Sequence, residues 1–204
     1  MNVSALEILQ SLLNPEDTAC FRIFDDQKEG TFTGQKLSVE CGKYQSIEAM
    51  LKQHNKMNRG IFFVVNSGGH DDGSITRINA QFVECDDLSF EEQQKQIDEF
   101  SLPPSMIIKT KKTLHTYWFI KDSNVSEFRG IQKRLVKQFK GDTMCINESR
   151  VMRLPGFYHC KSDPGNGGVH CIPSRAQIYP GTDVGGATGD RSENRRDKTR
   201  YGEG

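Results

Sequence analysis

Apolar positions recur along this chain at two periods, one helical and one strand-like, and their order predicts a mixed fold. Leu6, Leu9 and Leu13 follow Ser4 at helical spacing, with Glu7 three positions after Ser4 in the pattern of a capping box, so a short amphipathic helix opens the chain. Residues 20–24 and 31–40 read as two strands around the turn-rich DDQKEG, and residues 46–54 as a second helix. The β-branched and aromatic run IFFVV, 61–65, predicts a buried strand that ends at Asn66 and the loop SGGHDDG. The next strand, 77–85, delivers Glu84, Asp86 and Asp87 to its end. Ser89 and Glu92 form a second capping box for a helix through Phe100, which Pro103 and Pro104 stop. SMIIK and HTYWFIK predict a strand pair joined by a polar turn. Between 126 and 140, Phe128, Ile131, Leu135 and Phe139 repeat at helical intervals with basic residues on the other faces. The fold class is therefore α+β, with one domain over residues 1–180. From 181 to 204 Gly, Asp, Asn and Arg dominate without periodicity, as in a flexible tail or linker.

Composition narrows the class. No apolar run approaches the roughly 20 residues that span a bilayer, and the amino terminus lacks the basic leader of a signal peptide, so a cytoplasmic protein is expected. The six cysteines show no close CxxC pair and read as reduced, mostly buried thiols without structural disulfides. His159–Cys160 and His170–Cys171 flank a glycine-rich loop, but adjacent ligands lack the usual zinc spacing and ordinary cysteines are the default. The net charge of zero hides an asymmetry: residues 1–104 carry nine Lys and Arg against seventeen Asp and Glu, and residues 105–161 carry twelve against four. Such a division suits carboxylates that hold metal ions beside cations that hold phosphates.

The candidate chemistry lies where these halves meet. Alternation along FVECDD puts Glu84 and Asp86 on one face and Cys85 on the other. Paired hard oxygen ligands suit Mg²⁺ or Mn²⁺ together with substrate phosphates. Two-metal phosphoryl transfer usually wants a third carboxylate, and Asp142 in FKGDTMC is the candidate, at the start of what reads as another short strand. Asp87 reads as a turn or helix-leading acid. His115 begins HTYWFIK after a turn with Lys109, Lys111 and Lys112, where an imidazole among cations could grip a triphosphate. Arg150, Arg153 and Lys161 lie within SRVMRLPGFYHCK. A strand would put the two arginines on opposite faces and a helical turn on the same one, and the sequence leaves this open.

Taken in series, FVECDD, KTLHTYW and KGDTMCINESRVMRLPGFYHCK resemble the three signature motifs of the archaeo-eukaryotic primase superfamily, most of all the primase domains of plasmids, phages and integrated elements. FRIFDD and FFVVNSGG are similar to that group as well. The resemblance spans roughly residues 15–165. It implies a small α/β unit packed on an RRM-like antiparallel sheet with the active site in the cleft between. It also implies that Glu84, Asp86 and Asp142 bind two Mg²⁺ or Mn²⁺ ions and that His115, Arg150, Arg153 and Lys161 bind the incoming nucleotide, NTP or dNTP. Glu84 stands where the family often has Asp. The implied activity is primer synthesis on a single-stranded DNA template, with a replicative helicase, fused or separate, as a further partner. A non-catalytic DNA- or origin-binding module and a metal-dependent nuclease are the competing readings.

Overall fold

The computed structural model describes residues 3–26, 36–121 and 123–159, and the backbone of 172–173, 175–178 and 184–185. The elements run α1 (Ala5–Leu12), β1 (Ala19–Asp25), β2 (Lys36–Gly42), α2 (Tyr44–Lys56), β3 (Arg59–Val64), β4 (Ala80–Val83) and α3 (Phe90–Glu99). They continue with β5 (Met106–Lys109), β6 (Leu114–Lys121), α4 (Val125–Phe139), β7 (Val151–Arg153) and β8 (Tyr158–His159). The short strands β9 (Ile172–Pro173), β10 (Arg175–Ile178) and β11 (Val184–Gly185) follow.

Both expected capping boxes form, Ser4 with Glu7 before α1 and Ser89 with Glu92 before α3. Each satisfies orphan N–H groups of a first helical turn. The helix expected at 126–140 is α4, whose Phe128, Val136 and Phe139 are buried and whose chain leaves through Lys140 in the left-handed conformation at φ 50°. The fold is α+β and is built on two antiparallel sheets. One has the order β2-β1-β3-β7. In the other β6 is paired with β4 and β5, β10 continues beyond β5, and β11 adds a short parallel pairing to β6. Helix α2 packs on β2 and β3, α4 on β4 and α3 on β6. A single apolar cluster that includes Ile8, Phe21, Phe63, Phe82, Tyr117 and Phe128 joins these layers.

Several expectations change. Strand β4 stops at Val83, so Glu84 and Asp86 lie just past its end, and Asp142 sits in a turn and begins no strand. The expectation of reduced thiols fails at Cys20 and Cys41, which form a disulfide. The β1–β2 register sets these residues directly opposite each other with Cα atoms 4.1 Å apart, a proximity that comes from the hairpin and not from sequence spacing. Cys85 and Cys145 are free and buried, as expected. Lys161, Cys160, His170 and Cys171 lie outside the described residues, as do residues 31–35 of the second predicted strand and, apart from Val184–Gly185, the predicted tail. Among the described residues no helix is long and apolar enough to cross a membrane.

One surface acid ties the loop after β3 to the segment that leads into β7. Asp72 Oδ1 accepts from Asn147 Nδ2 at 3.0 Å, Ser149 N at 3.0 Å and Ser149 Oγ at 2.7 Å, while Oδ2 meets Arg129 at 3.1 Å. Burial opposes its ionisation, but these donors outweigh burial and hold its carboxyl at about 2. Its stabilisation is thus present above the ordinary value of 3.8 and is lost as pH falls towards 2. Asp72→Ala is expected to cost about 1 kcal/mol in urea unfolding at pH 7, because solvent screens this half-exposed carboxylate. The difference from wild type should shrink towards pH 2, and a cost that does not vary with pH would contradict this assignment.

Candidate active site

The site is built where three chain segments meet between the two sheets. Gly141, just after α4, brings the first two together. Its N–H donates to Val136 O, and the next N–H, of Asp142, donates to Glu84 O at 2.9 Å. A Cβ at Gly141 would lie 2.9 Å from that same Glu84 carbonyl, which is backbone and cannot rotate aside. Only glycine therefore lets the turn after α4 lie against the end of β4, and this contact sets Asp142 beside Glu84. Cys85 points away from the acids and its Sγ lies 3.2 Å from Phe139 O, so the alternation expected from sequence survives although the strand has ended.

The third segment is β5–β6 with its turn. Thr110 and Thr113 close this turn through their backbone and hydroxyl groups. Thr113 Oγ1 accepts from Cys85 N at 3.0 Å and donates to the buried Gln93 Oε1 at 3.1 Å. His115, two residues on, is buried with Nε2 3.1 Å from Glu84 Oε2. From the other sheet, Arg150 precedes β7 and places its guanidinium 3.0 Å from Asp142 Oδ2 and 3.6 Å from Glu84 Oε1. The same cleft, of about 490 Å³, is lined by Asp86, Lys111, Lys112, Arg153, Asp26 and His159 as well.

The sequence-predicted residues thus converge, with two qualifications. Arg150 and Arg153 both line the cleft, but Arg153 is engaged: it makes a bidentate pair with Asp26 at 2.8 and 3.0 Å and its guanidinium lies 4.4 Å from the Phe62 ring centre. Sequence reasoning also passed over Cys145, whose Sγ lies 3.1 Å from Glu84 Oε1, and Gln132, whose amide bonds Phe82 and Cys145 backbone atoms from the buried face of α4. An amide among the apolar positions of an amphipathic helix was the available signal for Gln132.

Electrostatics separate the acids. Burial would raise the Glu84 carboxyl, but His115, Cys145 and Arg150 together hold it down at about 2. Asp86 is raised, first by burial and then by the charge of Glu84, with His115 and Lys112 opposing. One acid is therefore held ionised by its neighbours, and the other pays a like-charge cost that a cation would relieve. Donor atoms of Glu84, Asp142 and Cys145 lie within 4.8 Å of one another, a set that fits a divalent cation.

Comparison with known proteins places the fold. Residues 74–172 match the RepB DNA-primase N-terminal domain. The primase-polymerase (archaeo-eukaryotic primase domain) of cyanophage S-2L is similar at 25% identity, with a TM-score of 0.70 over 89% of this chain and 92% of that one. The chain folds as a primase domain of the archaeo-eukaryotic type. The primase RepB′ shares the fold at 15% identity and a TM-score of 0.60, over 88% of this chain and 58% of that one. The catalytic domain of RepB′ in complex with initiator DNA does so at 17% identity and 0.53, over 77% and 79%. No protein of curated function matches the chain. Glu84, Asp86, Asp142 and His115 all fall within the matched segment.

Two outcomes follow from this geometry. Asp26→Ala leaves Arg153 charged where its side chain is only 6% exposed, so a loss of about 3–5 kcal/mol is expected in chemical denaturation. A change under about 1 kcal/mol would mean that the pair does not hold β1 to β7. Asp86→Asn, in contrast, is expected to raise the thermal midpoint at pH 7, because it removes a carboxylate whose ionisation the folded state opposes; a fall would reverse that sign.

Proposed function

We propose that this chain is the catalytic unit of a DNA primase or primase-polymerase, with residues 1–180 as the working domain, that joins nucleotides on a single-stranded DNA template. The observation that carries the reading is the convergence of Glu84, Asp86 and Asp142 with His115 and Arg150 in one cleft. Glu84 and Asp142, abutted through Gly141, and Asp86 at the rim would together hold two Mg²⁺ or Mn²⁺ ions. Such ions, when bound, lower the pKa of an attacking hydroxyl and neutralise charge that develops on the phosphate and leaving group.

The remaining residues position the substrate. Lys111 and Lys112 on the turn and Arg150 form a cationic rim for the triphosphate beside the acids, with His115 next to Glu84. Arg153, fixed by Asp26, serves as a rigid wall of positive charge behind them. Lys161 joins this set on the likeness of its motif. A 3′-hydroxyl attacks the α-phosphorus, the new P–O bond forms as the bond to pyrophosphate breaks, and the hydroxyl proton passes to solvent. The contact of His115 Nε2 keeps Glu84 oriented throughout, and no covalent protein intermediate is needed. DNA is known as a ligand of RepB′ from its complex with initiator DNA, and the basic outer face of α4 offers this chain phosphate contacts. A replicative helicase would supply template downstream.

The test is incorporation of labelled nucleotides on unprimed single-stranded DNA with Mg²⁺ or Mn²⁺, for wild type and Asp86→Ala. Synthesis by wild type, lowered about 100-fold or more in a variant that remains folded, is the expected result. Extension only of supplied primers would narrow the activity to polymerase. DNA binding without any nucleotide incorporation, or an active Asp86→Ala protein, would overturn the proposal.

A further inference from the structure

Cys145 is fully buried and in contact with Glu84, one of the acids that line the cleft. Its backbone is fixed on both sides, since its N–H donates to Asp142 O at 3.0 Å and its carbonyl accepts from the buried amide of Gln132 at 2.7 Å. Its Sγ lies 3.1 Å from Glu84 Oε1 and 3.8 Å from Asp142 Oδ2. These separations have a simple geometric meaning. A cation about 2.3 Å from a thiolate sulfur and about 2.1 Å from a carboxylate oxygen sets the two ligand atoms about 3.1 Å apart at a right angle and about 3.8 Å apart at 120°. The sulfur therefore stands from each acid at the distance expected of two ligands to one ion, and the two separations straddle the tetrahedral angle. Arg150, 3.0 Å from Asp142 Oδ2 and 3.6 Å from Glu84 Oε1, shows that these donors accept a positive charge between them.

We propose that Cys145 is a thiolate ligand of the divalent cation held by Glu84 and Asp142, and that it biases this position towards borderline ions such as Co²⁺ and Zn²⁺ over Mg²⁺. The inference rests on the reading that these acids bind a metal ion. Magnesium demands hard oxygen donors, whereas a thiolate strengthens binding of later first-row ions and Cd²⁺. On binding, the thiol proton that now faces Glu84 is released to solvent and the sulfur lone pair forms the bond to the metal, so charge and atoms balance. Asp86 stays outside this donor group and remains available, with substrate phosphates, to a second ion of harder character.

Titration of the full chain with Co²⁺ reads the bond directly, because a sulfur ligand adds a thiolate-to-cobalt charge-transfer absorption in the near ultraviolet. Wild type and Cys85→Ser should show it and Cys145→Ser should not. Cd²⁺ affinity should fall about tenfold or more in Cys145→Ser, with Mg²⁺ affinity unchanged. X-ray absorption at the cobalt edge of the wild type should show a sulfur neighbour at about 2.3 Å, a result that needs no variant to fold. Cobalt binding with only oxygen or nitrogen neighbours, or a charge-transfer band that persists in Cys145→Ser, would overturn the thiolate and leave the acids as ligands. Absence of Co²⁺ and Mn²⁺ binding altogether would overturn this proposal and the metal reading on which it rests.

Discussion

The site depends on one close backbone approach. Asp142 and Glu84 are 58 positions apart and belong to different elements, and they meet because the N–H of Asp142 bonds the carbonyl of Glu84 across a glycine that leaves no room for a Cβ. Everything that faces the cleft from the α4 side, Asp142 and Cys145 included, inherits its place from that contact. The apolar face of α4 supplies the force that holds it, since Phe128, Val136 and Phe139 are buried and anchor the helix to β4. Buried Gln132 completes the joint by satisfying the backbone of Phe82 at the sheet edge.

Charge then differentiates groups that geometry has gathered. Glu84 is surrounded by His115, Arg150 and the Cys145 thiol, and its ionised form is favoured in spite of burial. Asp86 has the weaker share of cations and feels Glu84 as a repulsive neighbour. A folded protein tolerates such an arrangement at a cost in stability, and that cost is characteristic of sites organised for a ligand and not for the fold. The Asp26–Arg153 pair is the opposite case. It is buried, bidentate and self-sufficient, and it ties β1 to β7 so that the wall of the cleft keeps its place.

Much of this was legible in the sequence wherever the determinant is local. The capping boxes at Ser4 and Ser89 lie within four residues of the helices they start, and strands β3 and β6 announce themselves by side-chain type, to within two residues at their ends. The likeness of three short motifs to primases carried Glu84, His115, Asp142 and Arg150 into one site, and the structure places them together. What stayed hidden is set by pairing across the chain. The Cys20–Cys41 bond follows from hairpin register, and the Arg153–Asp26 pair joins residues 127 positions apart. Whether Arg150 and Arg153 share a face was undecidable because a turn and a strand meet between them. Nothing in residue type marks Cys145 or Gln93, and their importance lies in what they touch.

The central claim is that the acids and the cationic rim act as one site, which binds a nucleotide through a divalent ion. Calorimetric titration with a non-hydrolysable nucleoside triphosphate, with and without Mn²⁺, tests this before any chemistry occurs. The account predicts that binding depends on Mn²⁺ and is lost in a folded Glu84→Gln protein. Equal affinity with and without the ion, or undiminished binding by Glu84→Gln, would contradict it.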